Sequence, residues 1–307
     1  MTLQQLKYVI KIVENRSITE AARAVCISQP ALSNSVHELE SELSIEIFSR
    51  SSKGITLTQE GAEFLSYARQ VVEQAGLLEQ RYTHKKPARQ LCSVSTQHYA
   101  FAVNAFCSLI QQTHSDEYEY TLRETRTSEI IEDVRSMKSE VGIIYQNDFN
   151  RKVLAKILKE GSLEFIPLFT AFPHVFVSAS CELAAKKSVT FEDLDPYPYL
   201  SFEQGDFNSF YFSEELQSTV PHKKSIHVSD RGTLFNLIIG VNGYTISSGI
   251  VTSDLNGTQI VAVPLEAEDS MTVGCIMNTR ATLSLCAQNY IAELRKCISG
   301  YGCVLLS

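Results

Sequence analysis

The chain has 307 residues, 44% of them apolar, and 27 Lys and Arg stand against 35 Asp and Glu for a formal charge of −8. That length suits two or three domains and that apolar share suits packed cores, which excludes a disordered or fibrous chain. No apolar run reaches the roughly 18 residues of a membrane span, and residues 1–7 carry no signal-peptide pattern, so a cytoplasmic protein that keeps off membranes is expected. The acidity is uneven: residues 1–90 hold 11 Lys and Arg and 10 Asp and Glu, the remainder 16 and 25. A near-neutral head on an acidic body is compatible with nucleic acid if the head's cations face one way. The eight cysteines form no Cys-x-x-Cys and have no His at metal spacing, so they read as reduced and mostly buried thiols with no metal.

In chain order, Leu3, Leu6, Val9, Ile10 and Val13 predict a first amphipathic helix. Ser17 is an N-cap with Glu20 three residues on, read as a capping box, and Ala21, Ala22 and Val25 give the next helix its apolar face. Ser28 is a second N-cap and Pro30 fits a first turn. Ala31, Leu32, Val36, Leu39 and Leu43 then continue at helical spacing. Two capped helices joined by about three residues form a helix-turn-helix. The second of them turns Gln29, Ser33, Asn34 and His37 to solvent, side chains suited to base edges and phosphates. Residues 45–57 read as a hairpin wing around a polar, Gly-containing tip, with Arg50 at its base as a phosphate contact and Lys53 at its tip for a minor groove or phosphate. Thr58 caps a helix running to about Arg81. Its Phe64, Ala68, Val71, Ala75 and Leu78 make a heptad seam that calls for a second helix. Residues 84–89 are polar and hold Pro87, which reads as a hinge.

From residue 91 short strands alternate with helices. Strands are expected at 91–95, 118–124, 141–145, 165–169, 175–177, 199–202, 225–228, 244–247, 261–264 and 273–277. Helices are expected at 97–112, 128–137, 191–194, 207–216, 232–241 and 283–297. Such alternation predicts an α/β body of parallel sheets covered by helices.

Ala21-Ala22, then Ser28-Gln29-Pro30-Ala31-Leu32-Ser33 and Leu39-Glu40, resemble the N-terminal signature of LysR-type transcriptional regulators. Ile47-Phe48-Ser49-Arg50, Thr56-Leu57-Thr58 and Gly61 continue the match. Many members carry Arg after the Ser of the recognition helix; here Asn34 stands there, which favours adenine where Arg favours guanine. The resemblance implies a winged helix-turn-helix at 1–58, a linker and dimerisation helix with hinge at 59–90, and an effector-binding domain at 91–307. That domain would have the two-lobed fold of solute-binding proteins, with lobe I at about 91–162 and 268–307 and lobe II at about 163–267. Two crossing strands, near 162–167 and 265–272, would join the lobes. The implied partners are double-stranded promoter DNA, a small-molecule effector and further copies of the chain in a homodimer or homotetramer, with RNA polymerase as a further candidate. Ser28, Gln29, Pro30, Ser33, Asn34, His37, Arg50 and Lys53 are the expected DNA-binding residues.

Ligands in open α/β sheets bind where strands end and helices begin. Four such junctions stand out: Ser95-Thr96-Gln97-His98, Thr125-Arg126-Thr127-Ser128, Glu203-Gln204-Gly205 after the strand at 199–202, and Ser229-Asp230-Arg231. Hydroxyls and helix N-termini suit an anion, and Arg126 and Arg231 would balance its charge. The expected effector set is Ser95, Thr96, Gln97, Thr127, Ser201, Phe202, Ser229 and Arg231, and the expected ligand is a small polar anionic metabolite. In the sulphur-responsive branch of the family a Thr-Gln pair at the first junction belongs to the effector site, and Thr96-Gln97 is similar. His98, His174, His222 and His227 read as surface or packing residues. No phosphate-binding loop, dinucleotide fingerprint, His-Glu-x-x-His or nucleophile elbow occurs, so neither an enzyme nor a cofactor is expected.

Overall fold

The computed structural model describes the chain except residues 52–53, 84–89, 116, 206–208, 252–256 and 307, and except the side chains of 50, 51, 54, 77, 80–83 and 90. It divides into two units, Met1–Ala88 and Arg89–Ser307.

The first unit begins with α1 (Leu3–Asn15), α2 (Ile18–Ala24) and α3 (Gln29–Leu43). Side-chain caps start each helix. Thr2 and Gln5 form the full capping box, whereas Ser17 only accepts the N–H of Glu20 and Glu20 pairs instead with Arg23. Ser28 accepts the N–H of Ala31, and Pro30 lies in the first turn, where no N–H is needed. Val9, Ile12, Ala22, Leu32, Val36 and Leu39 close into one core. The wing is an antiparallel pair, β1 (Phe48–Ser51) and β2 (Gly54–Leu57). Thr58 then accepts the N–H of Gly61 at 2.9 Å to open α4 (Gln59–Thr83). A Cβ on Gly61 would lie 2.0 Å from the carbonyl oxygen of Ile47, so only glycine lets this helix start against the wing's first residues.

The second unit holds two sheets. The first has the order β4-β3-β5-β12-β6, from Tyr118–Glu124, Gln90–Thr96, Val141–Gln146, Met271–Asn278 and Leu163–Ala171. Helices α5 (Ala100–Gln111) and α10 (Leu285–Gly300) cover one face with Phe101, Phe106, Tyr290 and Leu294. Helices α6 (Thr127–Arg135) and α7 (Arg151–Glu160) cover the other with Ile130, Val134, Leu154 and Leu158. The second sheet has β7 (His174–Ser178) between β10 (Thr245–Ser247) and β11 (Ile260–Pro264). A parallel pair, β8 (Tyr199–Phe202) and β9 (Ser225–Val228), extends it through a bridge from Tyr199 to Tyr244. Helix α8 (Phe191–Leu194) precedes that pair, and α9 (Arg231–Val241) packs Leu234 and Ile238 against it.

Both sheets are mixed, not parallel: β12 is antiparallel to β5 and β6, and β7 to both its neighbours. Helix α7 was not anticipated, although Leu154 and Leu158 form its buried stripe. In 207–216 the described residues hold only a short 3₁₀ turn, Phe210–Phe212, in place of the expected helix. The first crossing also moves. Strand β6 pairs with β12 along its whole length, so the chain passes to the second sheet at Phe172-Pro173 and not at 162–167. The return passage lies between β11 and β12.

Candidate DNA-binding face and effector cleft

Helix α3 has two faces because its apolar residues recur every three or four positions. Leu32, Val36 and Leu39 are buried, while Gln29, Pro30, Asn34 and His37 are exposed and Ser33 is half-buried. The solvent side is therefore a row of amide, hydroxyl and imidazole groups with no large apolar side chain. At the far end of α3, Glu40 turns back and its Oε1 accepts the N–H groups of Ile47 and Phe48, at 2.8 and 3.0 Å. One carboxylate thus fixes where the wing begins relative to the helix. The backbone of Arg50 pairs with Ile55 in that wing, and its side chain lies outside the described atoms. Lys53 lies outside the described residues altogether.

Between the two lobes the chain builds a tight polar contact. His98, just before α5, faces Glu214: its backbone N–H and its Nδ1 approach Glu214 Oε2 at 3.0 and 2.9 Å. The His98 ring stacks on Phe202 at 3.9 Å between centroids. Burial alone would pull His98 down, but the charge and hydrogen bond of Glu214 outweigh it and hold the imidazole above its ordinary value. The next residue, Glu215, accepts the N–H of Phe202 at 2.7 Å. Burial, and then the charge of Glu214, push the Glu215 carboxyl up to about 8. Arg231 at the start of α9 pairs with Glu124 at the end of β4, 3.2 Å apart, and Arg126 pairs with Glu203. Glu124 is raised by burial, which its Arg231 partner only partly offsets. Beside these charges the crevice wall is apolar, with Phe176, Leu234, Phe235, Ile246 and Ile250. The crevice encloses about 530 Å³ and is open to solvent. Contacts from His98, Thr127 and Arg126 to Glu214, Phe212 and Glu203 join the two lobes across it.

Residues 3–62 match the family described as bacterial regulatory helix-turn-helix protein, lysR family, and residues 101–297 match the LysR substrate binding domain. The chain belongs to the LysR family. It is a DNA-binding transcriptional regulator with an effector-binding domain, not an enzyme. Such regulators bind promoter DNA and small-molecule effectors and oligomerise. Among relatives, the Escherichia coli regulator YbhD is 23% identical over 95% of this chain and 90% of its own length. The Haemophilus influenzae regulator CysB is 29% identical over 67% of this chain and 62% of its own. Two solved structures share the fold: a cysteine variant of Corynebacterium glutamicum OxyR, at 17% identity and TM-score 0.54 over 98% and 94% of the chains, and a point variant of full-length BenM, at 19% and 0.50 over 100% and 99%.

In this LysR-type chain the residues expected at the cleft separate into three groups. Phe202 and Arg231 line it. Gln97 and Thr127 form a buried relay toward it: Gln97 Nε2 donates to Thr127 Oγ1 at 2.6 Å, and Thr127 donates to the carbonyl of Phe212 in the other lobe at 2.8 Å. Gln97 Oε1 already accepts from the Tyr145 N–H and the Tyr99 hydroxyl. The remaining residues turn elsewhere. Ser95 bonds Asp133 and Ser139 beneath α6, and Thr96 donates to the carbonyl of Gln97. Ser201 meets His227 at 2.9 Å in a separate hollow beside β8 and β9, and Ser229 is exposed past the end of β9. His98, Glu214 and Glu215 are what sequence reasoning missed. Two adjacent acids give no hint of burial, and His98 meets its partner 116 positions away.

On α4, Phe64 packs on the core of the first unit and Ala68 is 2% exposed, so the start of the expected seam faces its own chain. Val71, Leu78 and their neighbour Tyr67 stay 50%, 60% and 63% exposed, and Ala75 is half-buried. No described helix is long and apolar enough to cross a membrane.

Proposed function

We propose that this regulator reads its promoter with the exposed face of α3 and answers to a small polar anionic metabolite bound between its two lobes. The observation that carries the first half is the polar row Gln29, Ser33, Asn34 and His37 on a helix whose opposite side is locked by Leu32, Val36 and Leu39. Asn34 is the most informative position, since a carboxamide can pair bidentately with adenine in the major groove. Ser28 and Pro30 set the start of the helix, and Arg50 and Lys53 add phosphate contacts that carry no sequence information. The division into a 1–58 DNA-binding part, a 59–90 linker and a 91–307 effector domain belongs to the same reading. So does work in the cytoplasm, at promoters where RNA polymerase is recruited or blocked.

Support for the second half is the ring of strand ends around His98, Thr127, Phe202 and Arg231, which both lobes contribute. A ligand held by both lobes favours one lobe arrangement, and only that difference in affinity can change the DNA-binding state. The test is a binding titration with a site selected from genomic fragments and with random duplex. Asn34→Ala should weaken the selected site by roughly 1–3 kcal/mol more than random DNA. Equal losses on both would remove Asn34 from base readout.

A further inference from the structure

We propose that Glu214 is a built-in occupant of the effector position, and that a free effector is an organic carboxylate with an apolar body that works by displacing it. This rests on the reading of the inter-lobe cleft as the effector site; it keeps the anionic group of that reading, departs from it in giving the effector an apolar remainder, and names what fills the site.

The geometry is that of a bound ligand. Glu214 Oε2 takes a backbone N–H and an imidazole nitrogen from His98, where β3 has ended and α5 is about to begin. Both side chains are 4% exposed. Strand ends and helix starts are where α/β folds hold anions supplied from outside. Here the anion comes from the chain. Glu215, from the same turn, places its carboxyl on the N–H of Phe202, the corresponding strand end of the other lobe. Two neighbouring side chains thus engage one strand end in each lobe.

The segment that carries them is tied across the cleft by its backbone as well. The carbonyl of Phe212 accepts from Thr127, and that of Glu215 accepts from the Tyr145 hydroxyl. Gln217 reaches Asp269 in the returning crossover at 3.0 Å. With this strap in place Glu214 and Glu215 themselves stand in the lining of the crevice. An effector takes the His98 donors only if Glu214 withdraws from them.

What would replace Glu214 follows from its surroundings. The replacement must offer oxygens to the same His98 donors. Arg231 lines the crevice with a buried Nη1 that has no hydrogen-bond partner among the described residues, a second donor for an acceptor. Around these donors stand Phe176, Phe235, Leu234 and Ile246, which favour a hydrocarbon body. A carboxylate group at one end and an apolar remainder meet both demands.

Chemical rescue in the full chain tests this. Glu214→Ala vacates the position, and Glu214→Asp withdraws the carboxylate by one methylene and is the milder change. Acetate and phenylacetate are titrated at constant ionic strength against chloride while the melting temperature is followed. Both variants should melt below the wild type and regain stability saturably, as binding to the folded state requires. The wild-type response should be about tenfold weaker in apparent Kd, because its own carboxylate competes. Phenylacetate should act at lower concentration than acetate. Equal responses in wild type and variants, or none in either variant, overturn the proposal. Rescue without a change in operator affinity supports the occupancy and removes the cleft from effector control. Failure of rescue while operator affinity still follows some metabolite overturns the occupancy and leaves that control standing.

Discussion

Glu40 shows how much one side chain can organise in the DNA-binding unit. Its carboxylate leaves the helix surface to accept two consecutive N–H groups, those of Ile47 and Phe48. Glu40→Ala leaves both donors without that acceptor in a half-buried place, at a cost of about 1–3 kcal/mol. Affinity should fall alike for every DNA sequence, since the wing loses its footing while the α3 face is untouched. Comparing denaturation midpoints and two DNA titrations checks both statements. Gly61→Ala is a harsher change, because the new methyl would sit 2.0 Å from the Ile47 oxygen, which belongs to the backbone and cannot rotate away. A loss of roughly 1–3 kcal/mol or more is expected from forced backbone movement. An unchanged midpoint in either variant would show that the α3–wing–α4 joint relaxes freely.

Among elements, α4 is the one whose surface is unfinished. Its first turns bury Leu65 and Ala68 in the core of the first unit, but Tyr67, Val71 and Leu78 further along remain open. A second α4 covering Val71 and Leu78 would pair the units and space their recognition helices, so half-sites should repeat at about 10 base pairs or a multiple. The double variant Val71→Glu, Leu78→Glu should sediment as a monomer and lose operator affinity. A dimer in sedimentation velocity would place the contact elsewhere.

The legibility of the elements follows their physics. Helices α1 to α3 could be read directly, since caps and three-four spacing are local signals, and Ser28 and Leu32 act where their spacing puts them. The seam on α4 was half legible: periodicity marks an apolar stripe, but not whether Ala68 meets its own chain or another. Strand β6 was misjudged as a crossing because nothing within it records that β12, more than a hundred positions later, extends beside it to Ala171. The cleft was least legible. Thr96 and Gln97 carry the right chemistry at a strand end, yet their hydrogen bonds close within the first lobe, and the acids that do reach the cleft lie in 207–216, read as a helix but holding only the 3₁₀ turn Phe210–Phe212 among the described residues.

At the scale of the whole molecule, the contact between the lobes carries a pH signature. Folded Glu215 holds its proton up to about 8, whereas an unfolded glutamic acid releases it near 4.5. The folded state therefore binds more protons across that window, and stability that is full below 4.5 falls as pH rises toward 8. His98 acts with the same sign. Its folded value lies above 6.5, so the stability it adds is present below 6.5 and lost as pH climbs through the raised value. The effect of Glu215 is on the order of 5 kcal/mol at most, from a shift of that size. Calorimetry between about pH 5 and 8 should show the effector domain melting at lower temperature as pH rises. Glu215→Gln should flatten that slope. A slope unchanged in Glu215→Gln would mean that the carboxyl titrates normally.

The place of β12 has a consequence for how the protein is made. This strand lies between β5 and β6 in the first lobe, yet it leaves the ribosome roughly a hundred residues after β6, because the whole second lobe comes in between. Until it arrives, β5 and β6 each present an open edge to the cell, and such edges recruit other strands. The second lobe has no such wait: its sheet is complete once β11 emerges. Synthesis therefore imposes an order on the two lobes, inner before outer, and a nascent chain stalled short of Met271 would carry its first lobe as two unjoined pieces open to chaperones.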